Sequence, residues 1–197
     1  MRLADRAPVL ARIVSALLAC SLGHPAAATP ASLDQLMSLL SQRQHGHVSF
    51  VEQQFLAVLD RPLQSSGELF YDAPDRLEKR TLQPKPESLV LERGVISARR
   101  GRRTYTLELS RYPQIVPLID SIRATLAGDR AALERLFQVS LQGDLEQWQL
   151  QLVPSDPAMG KTVRRIRITG AGAAIQSVEI LAADGDRSLL TLGPELP

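Results

Sequence analysis

Apolar residues recur along this chain at two different spacings, and the change from one to the other divides it. Leu33, Leu36, Met37 and Leu40 fall on one face of a helix. Ser32 stands three residues before Gln35, the spacing of a capping box, so a short amphipathic helix is predicted over 32–42. His45-Gly46-His47 should end it. Alternation with period two then takes over. The stretch 48–59 reads as a long first strand holding Phe50 and Phe55, and Arg61-Pro62 with Ser65-Ser66-Gly67 reads as the loop after it. Further strands are predicted at 68–71, 77–82, 88–93, 95–99 and 103–109. Ala73-Pro74-Asp75, Pro84, Pro86, Gly94 and Gly101 separate them. Short strands joined by such closely spaced turns describe an antiparallel meander.

A helical stretch over 111–128 interrupts the alternation. Pro117 suits a first helical turn, where its missing N–H has no partner to lose. Gly128 is placed to end the helix in a left-handed cap. Ile115, Ile119, Ile122 and Leu126 form its apolar stripe. Asp129 can cap a second short helix over 130–137, with Leu133, Leu136 and Phe137 apolar. Strands resume at 139–141. Trp148, Leu150 and Leu152 then alternate with Gln149 and Gln151, and a loop is expected over 154–160. In 163–169, Ile166 and Ile168 share one face, with Arg165 and Arg167 on the other. Strands at 175–181 and 188–192 complete the pattern. It predicts an α+β fold: one continuous antiparallel sheet, a helical insertion and an N-terminal helix.

The first 28 residues follow neither period. Arg2, Arg6 and Arg12 precede an unbroken run of small and apolar residues over 13–22, and Ala26-Ala27-Ala28 provides the small residues of a cleavage site. The run is too short to span a bilayer, which takes about 20 residues. Residues 1–28 are therefore read as a signal peptide, 29–197 as a single exported domain, and the periplasm as its compartment. Leu17-Leu18-Ala19-Cys20 competes as a lipid-attachment sequence, in which Cys20 would become the acylated first residue. Cleavage after Ala28 would leave no cysteine and hence no disulfide, so a buried core must supply stability. The leader holds three Arg and one Asp, so the rest of the chain carries 20 basic and 20 acidic residues. That balance argues against a nucleic-acid partner.

Candidate chemistry is sparse. Gly160-Lys161-Thr162 resembles the end of a phosphate-binding loop, but the required earlier glycine is Ser155 and the stretch lies between strands. His45 and His47 invite a metal, yet the remaining histidine, His24, is in the leader. No Gly-x-Ser-x-Gly elbow occurs, and no acidic pair is brought together by spacing. Neither an enzyme, a cofactor nor a metal is expected. Arg99-Arg100-Gly101-Arg102-Arg103 is a strong charge cluster at a hairpin tip, read either as a solvated turn or as a docking point for anionic lipid or an acidic partner. Arg164, Arg165 and Arg167 pose the same question.

The order of elements resembles the periplasmic carriers of outer-membrane lipoproteins, the LolA-like family. The residues that carry the likeness are Phe50-Val51-Glu52-Gln53, then Gly67-Glu68-Leu69-Phe70-Tyr71 followed by Ala73-Pro74. The middle helical insertion, Trp148-x-Leu150-x-Leu152-x-Pro154 and Ile166-x-Ile168 continue it, and Ile175-Gln176-Ser177-Val178, Asp184-Gly185 and Leu190-Thr191-Leu192 close it. The family's arginine before that proline, which helps hold its lid closed, is Ala73 here. The resemblance implies a strongly curved, unclosed antiparallel β-barrel with a helical lid on its concave face. It implies a lipid-binding cavity, for which Phe50, Leu69, Tyr71, Leu77, Leu89, Leu91, Leu107, Trp148, Leu150, Ile166 and Ile168 are the candidates. Ile115, Ile119, Ile122 and Leu126 are the candidates for the lid. Plain core packing reads identically along an alternating strand. The implied partners are an acylated lipoprotein or lipid cargo, an inner-membrane transporter that delivers it and an outer-membrane acceptor, with the carrier a monomer. Three other readings stand beside it: an outer-membrane-anchored acceptor if Cys20 is lipidated, a secreted hydrolase, and a β-rich interaction protein with a filled core.

Overall fold

The computed structural model describes residues 31–112 and 116–197. The leader with Cys20 and His24, and the lid candidate Ile115, lie outside the described residues. The chain begins with helix α1 (Leu33–Leu40). Its capping box forms as the spacing predicts: Ser32 Oγ accepts from the Gln35 N–H at 3.1 Å, and Gln35 Oε1 accepts from the Ser32 N–H at 3.0 Å. Leu36, Met37 and Leu40 are buried, each worth about 1.5–3 kcal/mol when removed from water.

Six strands follow as a meander: β1 (His45–Phe55), β2 (Leu63–Asp72), β3 (Arg76–Gln83), β4 (Glu87–Glu92), β5 (Val95–Arg100) and β6 (Arg103–Glu108). A 3-10 turn at Leu109–Arg111 leads out of it. Two helices come next, α2 (Val116–Leu126) and α3 (Arg130–Leu136). Five more strands complete the fold: β7 (Phe137–Gly143), β8 (Trp148–Pro154), β9 (Val163–Ala171), β10 (Ala174–Ala182) and β11 (Arg187–Glu195). A single helical turn, α4 (Pro157–Gly160), sits between β8 and β9, where a loop was expected. Asp156 caps it through the Ala158 N–H, and Pro157 opens it.

The eleven strands among the described residues join one sheet in the order β6-β5-β4-β3-β2-β1-β11-β10-β9-β8-β7. Two meanders are thus fused where the last strand pairs with the first, over Phe50↔Leu192 to Phe55↔Arg187. β6 and β7 remain as unpaired edges, so the barrel does not close.

Two further departures from the sequence expectation have a visible reason. His45-Gly46-His47 does not separate helix from strand but begins β1, because β2 offers partners as far as Asp72. Ser65-Ser66-Gly67 is not a loop but lies inside β2. The ladder shifts register between Ser66 and Gly67, and a Cβ on Gly67 would collide with the Arg80 carbonyl of β3. Gly67 therefore marks a close backbone approach at a bulge rather than a turn. Gly128 behaves as predicted, with φ +64° after α2. It has a second reason to be glycine, since a side chain there would strike the Met37 carbonyl of α1.

The filled core lies over one half of the sheet. Leu36, Met37 and Leu40 of α1 and Leu133 of α3 pack with Phe137, Trp148, Leu150, Leu152, Ile166 and Ile168 of β7, β8 and β9. The buried indole of Trp148 is satisfied by the Gly172 carbonyl at 2.9 Å.

Candidate functional site

Cross-strand partners point to the same face of a sheet, so the register assembles the concave wall row by row. One row runs Gly46↔Tyr71↔Leu77↔Leu91↔Ile96↔Leu107 across β1 to β6. The next runs Val48↔Leu69↔Lys79↔Leu89↔Ala98. On the other side of β1, Glu52↔Leu190↔Val178↔Ile168 continues the same face. Alternation alone thus places a mostly apolar surface along the inside of the sheet.

That surface bends around a hollow of about 390 Å³. Its wall takes residues from Ile96 on β5 to Ile168 on β9. Those strands stand seven places apart in the sheet, a span of roughly 34 Å if the sheet were flat. Only strong curvature brings both to one cavity. The volume falls within the range of about 300–1,000 Å³ common for small-ligand sites.

Helix α2 forms the opposite wall. It packs principally on α1 and α3. The face it buries is the small and polar one: Ser121, Ala124 and Thr125. Both hydroxyls are satisfied within the helix, Ser121 Oγ by the Leu118 carbonyl and Thr125 Oγ1 by the Ser121 carbonyl, each at 2.7 Å. Ile119, Ile122 and Leu126 remain only half-buried and line the hollow. A helix normally turns its apolar stripe into packed core; this one turns it toward open space.

Leu69, Tyr71, Leu77, Leu89 and Leu91 line the hollow with them, as does Ile168. Phe50, Leu107, Trp148, Leu150 and Ile166, also expected there, are not among the residues that line it. Trp148, Leu150 and Ile166 are sealed in the filled core beneath α1 and α3. Phe50 is buried on β1, with the Lys79 ammonium 5.0 Å from its ring centre. Leu107 ends its row on the edge strand β6. Val48, Ile96, Val178 and Leu190 are wall residues that the sequence reading passed over. Their alternation was visible, but the register that puts them beside the hollow was not.

Polar side chains interrupt the apolar wall, Glu52, Lys79 and Tyr71 among them. Glu52 receives hydrogen bonds from the Lys79 ammonium, from Ser188 Oγ at 3.0 Å and from Ser65 Oγ at 3.2 Å. Burial pushes the Glu52 carboxyl up, but Lys79 and the Ser188 hydroxyl outweigh it and hold the group below the ordinary glutamate value. Tyr71 is 6% exposed, and its hydroxyl has no hydrogen-bond partner among the described residues. Burial raises its pKa, opposed by the charge of Arg123 on α2. Arg123 in turn reaches Asp75 in the β2–β3 turn at 3.6 Å, while its Nε is buried without a partner among the described residues. This ion pair ties α2 to the β2–β3 turn, which Ala73, Pro74 and Asp75 form.

The remaining sequence candidates find local partners. The four arginines of the hairpin tip, Arg99, Arg100, Arg102 and Arg103, are exposed, and Arg100 is paired with Glu87 at 2.7 Å. His45 pairs with Asp72 at 3.0 Å, and His47 stacks on Phe70 with ring centres 4.2 Å apart. Arg167 joins Glu179 at 2.9 Å.

A bent, unclosed antiparallel sheet whose apolar hollow is walled by helices defines a class of binding fold, one that takes its ligand between sheet and helices. The chain belongs to the LolA-like family of outer membrane lipoprotein carrier proteins, whose model matches residues 25–194. No curated protein sequence matches it significantly. Among solved structures it is similar to a LolA superfamily protein from Nitrosomonas europaea, at 8% identity and a TM-score of 0.43, over 85% of this chain and 96% of that one. A putative outer membrane lipoprotein-sorting protein domain from Vibrio parahaemolyticus gives 8% identity and a TM-score of 0.44, over 83% and 90%. The MucA/MucB complex of Pseudomonas aeruginosa gives 13% identity and a TM-score of 0.47, over 85% of this chain and 59% of that one.

Proposed function

We propose that this protein is a periplasmic carrier rather than an enzyme: it shelters the acyl chains of a lipoprotein or other lipidated cargo in the hollow and delivers them toward the outer membrane. An acyl chain in water costs about 0.8 kcal/mol for each exposed CH₂, so a chain of ordinary length cannot cross an aqueous compartment uncovered. The observation that carries the reading is the inverted burial of α2. Ser121 and Ala124 are packed away, while Ile119, Ile122 and Leu126 face an empty, mostly apolar space. Apolar surface facing a void loses contacts that an occupant restores. A hydrocarbon tail supplies those contacts without asking for any polar partner.

Loading and release follow from the same geometry. α2 is tied to the sheet side by Arg123–Asp75, an ion pair about a quarter exposed at each end. Such a pair contributes at most about 1 kcal/mol, so α2 can swing away cheaply and return when cargo fills the space. The implied partners are an inner-membrane transporter that hands over cargo and an outer-membrane acceptor that receives it, with the carrier acting as a monomer. Export rests on residues 1–28 as a cleaved leader. Cys20 offers the second reading, an anchored acceptor with the same hollow, and the mass of the mature N-terminus separates the two.

Gentle purification followed by mass analysis of bound lipid tests the main reading. Acylated molecules should accompany the protein at near one-to-one ratio. A preparation free of lipid that also takes up no acyl probe would remove it.

A further inference from the structure

A hydrocarbon tail leaves one buried group of the hollow without a hydrogen-bond partner. Tyr71 is 6% exposed, lines the cavity, and carries a hydroxyl with no partner among the described residues. A buried donor left unmade costs the full desolvation of that group. Phenylalanine would fill the same place among Leu77, Leu91 and the other wall residues without that cost. Arg123 Nε is a second buried donor without a partner, carried by the helix that faces the same hollow, and its charge acts on the Tyr71 phenol. Of these two unused donors it is Tyr71 that lines the hollow, while the Arg123 guanidinium reaches Asp75 where α2 meets the β2–β3 turn.

The chemistry that answers them is an acceptor with no proton to give. A saturated tail has none. The bond joining a tail to its cargo does have one, since both esters and amides present a carbonyl oxygen. Resting on the reading of the hollow as an acyl-chain site, we infer that Tyr71 Oη, assisted by Arg123, donates a hydrogen bond to the ester or amide carbonyl of the bound acyl group. The carbonyl then sits beside Tyr71, and the tail runs along the apolar rows toward β11 and β10. Tyr71 becomes a specificity-determining residue: it distinguishes acyl chains from alkyl or isoprenoid chains of equal length, which fill the space but leave its hydroxyl unanswered. Arg123 links this recognition to α2, because the same guanidinium holds Asp75.

The test compares 1-palmitoylglycerol with 1-O-hexadecylglycerol, two probes with the same head and chain length that differ in the carbonyl. Binding to the full mature protein is measured by displacement of a fluorescent fatty-acyl probe. The native protein should prefer the ester by about tenfold, the worth of one buried hydrogen bond. Tyr71→Phe should bring the ester down to the level of the ether. Its thermal stability without ligand should stay the same or rise, since an unpaired polar group has been removed. Equal binding of both probes by the native protein overturns the inference, and so does an ester preference that survives Tyr71→Phe. A marked loss of stability in empty Tyr71→Phe also overturns it, because the hydroxyl would then serve the fold. If neither probe nor the fluorescent acyl chain binds at all, the acyl-site reading itself fails. That result is distinguishable from equal binding of the two.

Discussion

Leu69 and Leu150 occupy equivalent places in an alternating strand, and their surroundings make them different residues. Leu150 is 0% exposed in the filled core beneath the helices. Leu69 lines the hollow and is only partly buried. Leu150→Ala should cost about 2–5 kcal/mol, because close packing cannot collapse around the missing atoms. Leu69→Ala borders space that is already empty and should cost about 1 kcal/mol, because only part of the removed surface was out of water. Urea unfolding of the two variants measures the contrast. Comparable losses would mean that the hollow is packed. Glu52 gives a second residue-scale prediction, through pH. Its folded-state pKa is depressed by Lys79 and Ser188 against the opposing push of burial. Its contribution is therefore present above the ordinary glutamate range and lost as the pH falls through the lower folded value. Glu52→Gln should weaken the protein at neutral pH and flatten its stability profile in acid, so the native and variant curves draw together below about pH 4. Denaturant midpoints collected from pH 3 to pH 7 show whether they converge.

Helix α2 and its C-terminal corner set the second scale. α2 spends its packing face on small residues, and this leaves its isoleucines to the hollow. A carboxylate at position 119 would sit in a half-exposed wall rather than in the core. Ile119→Glu should therefore keep the melting temperature within a few degrees of native yet abolish retention of co-purified lipid. Both are read from one preparation by circular dichroism and lipid mass analysis. Unaltered lipid content in a folded variant would remove α2 from the site. The corner after α2 has no such tolerance. Gly128 combines a left-handed backbone with a close approach to the Met37 carbonyl of α1. Gly128→Ala should cost about 2 kcal/mol or more through strain and overpacking, and thermal melting measures it. Because α1 and α2 meet there, the same change should loosen the hollow and weaken acyl-probe binding. A variant as stable as native would show that the corner can relax.

At the scale of the molecule, the sheet has two unequal halves with one set of helices between them. α1 and α3 fill the side of β7, β8 and β9, and what is left beside β1 to β5, β10 and β11 stays open. Cargo that enters only the folded hollow must stabilise the whole cooperative unit. An acyl probe at 100 times its dissociation constant should raise the unfolding free energy by about 2.7 kcal/mol, a shift visible in thermal melts at graded probe concentration. Absence of any shift at saturation would mean that the chain binds its probe on the outside.

Local signals determined a great deal here. The capping box at Ser32, the left-handed Gly128, the Asp129 cap, the alternating strands and the helical stripe of α2 were all legible, because each depends on residues a few places apart. The likeness in element order pointed to the carrier family. Tertiary structure alone decided which apolar faces meet other side chains and which meet space. Trp148, Leu150 and Ile166 share their alternation with Leu69, Leu77 and Leu91, yet α1 and α3 seal the first three and leave the others beside a cavity. The bending that brings β5 and β9 to one hollow arises from register, bulges such as that at Gly67, and the pairing of β1 with β11, all contacts between residues far apart in the chain. The unanswered hydroxyl of Tyr71 belongs to the same category. A tyrosine in a strand is ordinary by pattern, and only its three-dimensional surroundings, with no acceptor in reach among the described residues, give it a task.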